Sequence, residues 1–486
     1  MMTSTPTPLR VCLHTLGCKT NLLESSALGQ AFSALGWQVL SPEAATQAPQ
    51  GQHPHLHVIN TCTVTEKADA EARRLIRKVR RQHPQAKVAV TGCYVQVNPQ
   101  LFVKQEEGPL PKHSPAPATA DFIIGNAYKD QLAALVNTHF ELAPPTTESW
   151  LWVDDFDKSR ERSHSTVAVA SSAGLGRSRA SLKIQDGCDY KCTYCIIWQG
   201  RGPSRSVPAA SLLQETQRLL AEGFGDITLT GINIGQYAHE GLDLAGLLQY
   251  LLAQLPATGF RFRLTSLDPL EVDEALMQVI ATSGGRIAPH IHLSVQSAEN
   301  GVLKAMARRH KVEDFVHIVH RLHALLPHVA IGGDLIVGFP TEDEAAFAHT
   351  LQVIEGLPLA YLHLFRYSPR PGTPAASLHP QVPERVRKER ATRMAAVMEA
   401  KQRAFQRRFV GTTQLVVVEE ADEAGVFYGL TPHYLKVRLQ LPANDVTNPP
   451  LQPHLQPKQW VWATIEDLDP HASVDAPLLA TLSTAP

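Results

Sequence analysis

Three closely spaced cysteines constrain this 486-residue chain more than any other feature. Cys188, Cys192 and Cys195 form a C-x3-C-x2-C cluster within a total of seven cysteines. An odd cysteine count in a long chain without a visible export signal argues against a disulfide framework. Three thiolates this close together suit one soft metal centre. A four-iron cluster held by only three cysteines keeps one iron open for a substrate or cofactor.

Zinc is the alternative explanation of this cluster. A structural zinc ion would require a fourth cysteine or histidine nearby. His164 and His239 are the flanking histidines, and both lie too far along the chain for a compact zinc finger. Buried thiols without any metal are a further alternative. The ligand count favours iron–sulfur chemistry over both.

Composition and charge exclude several classes of protein. The chain has 45 Lys and Arg against 46 Asp and Glu, with 44% hydrophobic and 19% charged residues. These values are typical of globular proteins and exclude a wholly disordered chain. Its apolar stretches fall short of the roughly 20 residues that cross a bilayer, and residues 1–10 lack an apolar signal segment. We therefore expect a cytoplasmic protein of about three domains that is not bound to a membrane.

Three further cysteines each follow a predicted strand. Cys18, Cys62 and Cys93 come just after short apolar segments of the first 95 residues. In parallel α/β sheets, ligand sites form beyond the carboxyl ends of the strands, so these three thiols are expected to converge. Cys12 lies inside the first strand and is interpreted as a core thiol, because free cysteine is among the most buried residue types.

The apolar pattern predicts an α/β chain of three units and one linker. The predicted boundaries are 9–140 for a parallel-sheet domain, 141–179 for the linker, 180–408 for a complete or partial TIM-like barrel, and 409–486 for a small β-rich domain. The Cys188 cluster follows the first strand of the second unit. It therefore falls at the C-terminal strand ends, where such barrels hold their sites.

The cysteine motifs resemble those of a known enzyme family. The close cluster, with Tyr194 before its last cysteine, resembles the cluster loop of the radical S-adenosylmethionine (SAM) enzymes. The stretches around Cys18 (TLGCKTN), Cys62 (NTCTVT), Cys93 (TGCY) and Cys188 (LKIQDGC) resemble the methylthiotransferase family. The resemblance covers nearly the whole chain. It implies an N-terminal methylthiotransferase domain, a central radical SAM domain and a C-terminal β-barrel called TRAM.

The resemblance also implies the cofactors. Two [4Fe-4S] clusters and S-adenosyl-L-methionine are expected, with the close cysteine cluster holding the reducing cluster and the three dispersed cysteines holding an auxiliary one. Reduction of bound S-adenosylmethionine would yield a 5′-deoxyadenosyl radical. A flavodoxin or ferredoxin is the expected kind of electron donor.

Several strand-end motifs resemble the family's cofactor surroundings. Ser294 and Gln296 lie two apart in a predicted strand, so both can point into a barrel. Packing of the barrel interior is the alternative explanation for them. Ala298 and Thr341 stand where the family usually has glycine. The predicted cofactor-binding residues are Tyr194, Thr230, Gly231, Ser294, Gln296, Ile336 and Gly338.

The family resemblance implies methylthio transfer to adenosine-37 in the anticodon loop of transfer RNA, or to an aspartate of a ribosomal protein. The GCKTN loop at 17–21, the NTCTVT motif and the CII sequence at 195–197 resemble the branch that acts on N6-threonylcarbamoyladenosine-37. The isopentenyladenosine-37 branch and the ribosomal-protein branch are the enzymatic alternatives. A metal-bearing RNA-binding protein is the non-enzymatic one. The oligomeric state is left open.

Two basic segments are candidates for contact with RNA. Residues 71–82 carry six basic residues against one acid, and residues 384–408 carry nine against three. Each segment either binds phosphates or forms a plain solvated face. By contrast, residues 408–486 contain four Lys and Arg against nine Asp and Glu. The third unit therefore has little capacity for phosphate contact beyond a local patch at Lys436 and Arg438.

Overall fold

The computed structural model describes residues 8–49, 51–103, 118–142, 149–154, 156, 170–171, 178–423, 425–440, 455–466 and 473–484. Most of the predicted linker at 141–179, and nearly all of the proline-rich loop predicted at 108–118, lie outside the described residues. None of the helices in the described part of the chain combines the length and apolarity that a bilayer span requires.

A six-stranded parallel sheet forms the first unit. Its strands are β1 (Arg10–Thr15), β2 (Gln38–Leu40), β3 (Leu56–Thr61), β4 (Lys87–Gly92), β5 (Phe122–Ile124) and β6 (Trp150–Trp152). Its helices are α1 (Lys19–Ala34), α2 (Pro42–Gln47), α3 (Glu66–Gln82), α4 (Cys93–Val97) and α5 (Leu132–His139). The strand order is β2-β1-β3-β4-β5-β6. Every residue of β3 is buried, as expected for a central strand covered on both faces.

The sixth strand falls inside the segment predicted to be a linker. Trp150, Leu151 and Trp152 pair in parallel with Phe122–Ile124. Part of the segment assigned to the linker therefore extends the first sheet.

The second unit is an open barrel built from βα repeats. Its strands are β7 (Ala170–Ser171), β8 (Ala180–Lys183), β9 (Gln185–Asp186), β10 (Arg205–Ser206), β11 (Asp226–Thr230), β12 (Arg261–Leu264), β13 (His290–Gln296), β14 (Ala330–Val337) and β15 (Tyr361–Arg366). Its helices are α6 (Ile197–Arg201), α7 (Ala209–Ala221), α8 (Leu244–Gln254), α9 (Glu274–Thr282), α10 (Asn300–Ala305), α11 (Val312–Leu325), α12 (Glu344–Gly356) and α13 (Glu384–Arg407).

Two sheets make up the wall of this barrel. One has the order β12-β11-β8-β7 and the other the order β13-β14-β15. Isolated bridges from Phe262 to Ile287 and from Leu267 to Leu293 join them. The covering helices bury apolar side chains against this wall. Leu247 of α8 is one of them, and its burial stabilises the fold by roughly 1.5–3 kcal/mol. The α/β prediction and the partial barrel are both confirmed.

A closed five-stranded barrel forms the third unit. Its strands are β16 (Thr413–Val418), β17 (Tyr428–Leu430), β18 (Lys436–Gln440), β19 (Trp460–Ile465) and β20 (Leu478–Leu482). Burial alternates strictly along β18, with Val437 and Leu439 inside. The closed order β16-β17-β18-β20-β19 agrees with the expected TRAM barrel. It packs against the N-terminal ends of β14 and β15 through Phe405 and Phe409.

Candidate functional site

The close cysteine cluster lies on the loop between β9 and α6, at the C-terminal side of β8. The Cys195 N–H donates to the Cys192 carbonyl at 3.0 Å, which curls the loop back on itself. Gly187, just before Cys188, has φ +77°. A Cβ there would lie 1.9 Å from the Pro203 carbonyl oxygen, so only glycine fits at the start of this loop.

The electrostatics of these thiols fit a bound cation. Burial, together with a smaller effect of the neighbouring thiols, raises the pKa of Cys188 to about 12 and that of Cys195 to about 11. A metal centre supplies the positive charge that turns such thiols into thiolates. Arg308 adds charge at the same place, because its Nη1 donates to the Cys192 Sγ at 3.6 Å.

The three dispersed cysteines come together beyond the ends of β1, β3 and β4. Cys18 precedes α1, Cys62 follows β3, and Cys93 begins α4. Burial, together with a smaller effect of the Cys93 and Cys18 thiols, raises the pKa of Cys62 to about 11, so the three groups lie close enough to interact. Gly17 has φ +91°, and a Cβ there would lie 2.3 Å from the Cys62 Cβ. The first loop therefore needs glycine to reach Cys62.

Within the described residues, neither cysteine triad has its three sulfurs as close together as in a single zinc site. With Zn–S bonds of about 2.3 Å, the sulfurs of a tetrahedral site lie roughly 3.8 Å apart. Within the described ranges, the metal-ligand atoms of Cys12, His14 and His57 all lie within 4.8 Å of one another, and neither cysteine triad meets this limit. Wider spacing suits a polynuclear iron cluster, in which each thiolate binds a different iron.

One short helix links the two triads. Helix α6 begins two residues after Cys195 and ends at Arg201. A Cβ on Gly200 of this helix would lie only 3.0 Å from the Cys93 Cβ. The absence of a side chain at 200 thus lets α6 pack against α4, which Cys93 begins. The two triads are neighbours across this helix.

A buried ion network locks the first and second units together beside the triads. Arg201 is 1% exposed, and its guanidinium donates to Asp186 Oδ1 at 3.0 Å and to Asn21 Oδ1 at 2.6 Å. It also pairs with Glu24 on α1. Asn21 and Glu24 belong to the first unit, whereas Asp186 and Arg201 belong to the second.

Glu24 is the shared anion of this network. Its carboxylate accepts from Lys129 Nζ at 2.6 Å and from Lys183 Nζ at 3.3 Å, in addition to Arg201. Burial alone would raise the pKa of Glu24, but Arg201, Lys129 and Lys183 hold it well below its ordinary value. The carboxylate therefore stays charged although its side chain is only 6% exposed.

A cavity of about 290 Å³ opens between the three units. Aromatic rings form one end of it, with the His290 and Tyr434 rings stacked at 4.5 Å and the Tyr361 ring 5.8 Å from His290. Its lining residues come from all three units: Cys18, Lys19, Thr20, Thr228, Thr230, Gly231, Arg263, Leu264, Thr265, Ser266, His290, His292, Asp334, Tyr361, His363 and Tyr434.

The predicted cofactor residues fall into two groups. Thr230 and Gly231 line this cavity together with Cys18. The Ser294 carbonyl accepts from Arg308, which itself contacts Cys192, so Ser294 lies beside the close cluster.

The other predicted cofactor residues pack behind the cluster loop. Tyr194 contacts Phe339 edge to face at 6.5 Å, with Ile336 partly buried against the same apolar group. Gly338 has φ +72°, and its N–H donates to Glu342 Oε1 at 2.9 Å.

Ser294 and Gln296 do not follow the regular alternation that would place both on one face of β13. The pairing of β13 with β14 shifts between Leu293 and Gln296, and Gln296 has φ +68°. Regular alternation requires an unbroken strand, and a bulge removes it. Thr341, at a position where glycine was expected, also adopts a left-handed conformation with φ +75°.

Many basic side chains of α3 and α13 already have partners within the chain. On α3, Arg80 pairs with Asp121 at 2.7 Å, and Arg73 contacts the Tyr94 hydroxyl. On and just after α13, six of the nine basic residues contact other parts of the chain or the same helix: Arg387, Arg390, Arg393, Lys401, Arg403 and Arg408. Arg385 and Lys388 remain exposed near the start of α13.

Comparison with known proteins assigns the family. Residues 182–354 match the radical SAM superfamily model, and residues 10–109 match a model described as uncharacterized protein family UPF0004. The threonylcarbamoyladenosine tRNA methylthiotransferase MtaB of Rickettsia prowazekii is 35% identical over 79% of this chain and 81% of its own length. The chain belongs to the radical SAM methylthiotransferase family. It is therefore an enzyme of a family that binds S-adenosylmethionine and a [4Fe-4S] cluster.

Two other relatives cover still more of the chain. The MtaB protein of Aquifex aeolicus is 33% identical over 88% of this chain and 96% of its own length. A tRNA-2-methylthio-N(6)-dimethylallyladenosine synthase of Erythrobacter litoralis is 32% identical over 89% of this chain and 91% of its own length. Sequence identity to this chain therefore distinguishes the MtaB relatives from the dimethylallyladenosine synthase only weakly.

Among solved structures, the radical SAM methyltransferase TsrM of Kitasatospora setae superimposes with a TM-score of 0.55. The match covers 76% of this chain and 75% of TsrM, at 16% sequence identity. It supports a shared fold over the matched part of the chain.

Proposed function

We propose that this methylthiotransferase adds a methylthio group at C2 of N6-threonylcarbamoyladenosine-37 in the anticodon loop of transfer RNA, using two [4Fe-4S] clusters. The observation that carries the proposal is the pair of cysteine triads held next to each other by α6. When bound, the clusters and S-adenosylmethionine supply the radical and sulfur chemistry that an unactivated aromatic C–H bond requires.

The residues of the chain hold these groups and bring them together. Cys188, Cys192 and Cys195 would hold the reducing cluster, whereas Cys18, Cys62 and Cys93 would hold the auxiliary one. Thr230, Gly231 and Ser294 are proposed to surround the cofactor from the strand ends, with Tyr194, Ile336, Gly338 and Gln296 supporting the cluster loop. A flavodoxin or ferredoxin in the cytoplasm would supply electrons.

The cavity supports a flipped-out base as the substrate. Bases in RNA loops can leave the stack and lie against aromatic side chains. The exposed Tyr434 ring of the TRAM barrel, which stacks on the buried His290 ring, provides such a surface at the cavity end. Stacking of one base on a protein ring contributes about 1–3 kcal/mol. Cys18 lines the same cavity, so a base there would lie beside the auxiliary triad.

The polarity of the cavity favours the threonylcarbamoyl group over an apolar dimethylallyl group. Lys19, Arg263 and Asp334 all face this space. Burying an apolar chain against Lys19 would desolvate its ammonium group without giving it a partner. A threonylcarbamoyl group instead offers a carboxylate, a hydroxyl and amide N–H groups.

Nucleoside analysis tests the proposal. Transfer RNA from a strain that lacks this protein should contain N6-threonylcarbamoyladenosine without its methylthio form. Complementation with the wild-type chain should restore the methylthio nucleoside, and complementation with Cys62→Ala should not. Restoration of only the dimethylallyl-type product, or of neither, would refute the proposed substrate.

A further inference from the structure

We infer that Lys19 selects the threonylcarbamoylated substrate by pairing its ammonium group with the substrate carboxylate. This inference rests on the proposed function and names the residue that gives the site its specificity. Lys19 follows Cys18 directly and is the first residue of α1. Its side chain is exposed and lines the cavity beside Thr20.

The ammonium group of Lys19 has no partner within the described part of the chain. The ion pairs and hydrogen bonds of that part include none from its Nζ. The other full cation of the cavity is already engaged, because Arg263 pairs with Asp226 at 2.8 Å and donates to the Thr431 carbonyl at 2.9 Å. Lys19 therefore has the free charge that an incoming anion requires.

The histidines of the cavity are also engaged. His292 Nε2 lies 3.2 Å from Asp334 Oδ1, and His363 Nδ1 lies 3.4 Å from the same oxygen. His292 also contacts the Tyr361 hydroxyl through Nδ1 at 3.1 Å. Asp334 thus holds both rings, and its negative charge disfavours a carboxylate at that end of the cavity. A substrate carboxylate is directed toward Lys19 instead.

The chemistry of the substrate puts its carboxylate near the reacting carbon. The carbamoyl N–H next to the threonine can donate to N1 of the adenine, which closes a six-membered ring. This internal hydrogen bond folds the threonine over the N1 edge, and N1 is bonded to C2. In the proposed reaction C2 faces the auxiliary triad. The carboxylate therefore falls close to the triad, where Lys19 adjoins Cys18.

Lys19→Gln tests this role, with two RNAs compared. One is an anticodon stem–loop carrying N6-threonylcarbamoyladenosine, and the other is the same RNA with the threonine carboxylate converted to a primary amide. On the first RNA, Lys19→Gln should lower kcat/KM by about 10- to 100-fold, as expected for loss of a charge-assisted hydrogen bond. On the amide RNA, the wild type and Lys19→Gln should differ by less than about 3-fold.

Two variants and two readouts control the experiment. Lys19→Arg keeps the positive charge and should retain most of the preference for the carboxylate, whereas Lys304→Gln, on the exposed side of α10, should behave as wild type. Iron content and 5′-deoxyadenosine release without RNA should not change in Lys19→Gln. These controls separate a role in substrate selection from a role in cluster assembly.

Three results would overturn the inference. Equal losses on both RNAs would mean that Lys19 contacts the RNA backbone or supports the cluster. No loss on either RNA would mean that it does not contact the substrate. If the wild type formed no methylthio product from any RNA, the proposed function would fail and this inference with it.

Discussion

Cysteines of one chain take on different roles according to their surroundings. Cys12 is fully buried inside β1, where burial raises its pKa to about 12, and its Sγ lies 3.4 Å from His14 Nε2. Cys18, only six residues later, is exposed at a strand end and faces two further thiols. Position relative to the strand end, rather than residue type, separates a core thiol from a candidate ligand.

The two triads should be separable by single substitutions. In anaerobically reconstituted protein, Cys192→Ala should abolish both 5′-deoxyadenosine release and methylthio product, because it removes a proposed ligand of the reducing cluster. Cys62→Ala should retain 5′-deoxyadenosine release and lose the product. Chromatography of the same reaction mixtures measures both. Cys12→Ala is the matched control and should keep both activities, so loss of product in that variant would contradict the assignment.

Arg308 should tune the reducing cluster. Its guanidinium donates to the Cys192 Sγ and also pairs with the buried Asp268. Hydrogen bonds and positive charge near cluster sulfurs raise the reduction potential. Arg308→Gln should therefore shift the midpoint potential of this cluster to a more negative value, as measured by a redox titration followed by electron paramagnetic resonance.

The neighbouring arginine provides a control for that titration. Arg309 is exposed and lies over the Tyr190 ring at 5.1 Å. Arg309→Gln should leave the potential unchanged, and Arg308→Lys should shift it less than Arg308→Gln. An unchanged potential in Arg308→Gln would show that the contact has no electronic effect.

At the scale of elements, α1, α6 and β8 meet through the buried ion network. Glu24 pairs with Lys129, Lys183 and Arg201, and the buried Asp186 pairs with the last two of these cations. Glu24→Gln should destabilise the protein by about 3–5 kcal/mol, since it leaves buried charges uncompensated. Urea unfolding at pH 7 measures this loss. The exposed Glu240→Gln should change stability little.

The same network makes the stability of the folded protein depend on pH. The pKa of Glu24 is held well below its ordinary value of 4.5 in the folded protein, so its stabilisation is complete above about pH 4.5 and declines as the pH falls toward the folded value. The stability difference between wild type and Glu24→Gln should stay constant from pH 8 to about pH 5 and shrink below about pH 4. A difference that grew in acid would contradict the network.

Local sequence predicts most elements of this fold and misses those that depend on distant partners. Apolar runs bounded by polar residues are sufficient to predict strands such as β11 (Asp226–Thr230) and β19 (Trp460–Ile465). Strand β20 was not predicted, since it closes the TRAM barrel by pairing in parallel with β18 across a long connection. Strand β6 has only three residues, which is too short for periodicity to show.

At the scale of the whole molecule, the cavity is lined by residues from all three units. The cavity combines Cys18 of the first unit, Thr230 of the second and Tyr434 of the third. Sequence patterns predicted the two triads from residues near strand ends. They did not predict the cavity, the roles of Arg201 and Lys129 or the contact of Arg308 with Cys192, because these join residues that are remote in sequence.

The exposed start of α13 should contact transfer RNA. This end lies at the mouth of the barrel, since Arg387 donates to the Tyr367 carbonyl just beyond β15. Replacing both Arg385 and Lys388 by Gln should weaken RNA binding and reduce the slope of log K against log salt by about 1 to 2. Arg407→Gln, at the far end of the same helix, is the control. Equal effects of the two variants in filter-binding titrations would contradict a contact at the mouth.

Iron analysis of two purified proteins tests the pair of clusters most directly. Anaerobically reconstituted wild type should contain about eight irons per chain, and Mössbauer spectra should show only [4Fe-4S] signals. The variant with Cys18, Cys62 and Cys93 all replaced by Ala should contain about four irons and still cleave S-adenosylmethionine. About four irons in the wild type, or zinc in place of iron in either triad, would contradict the account.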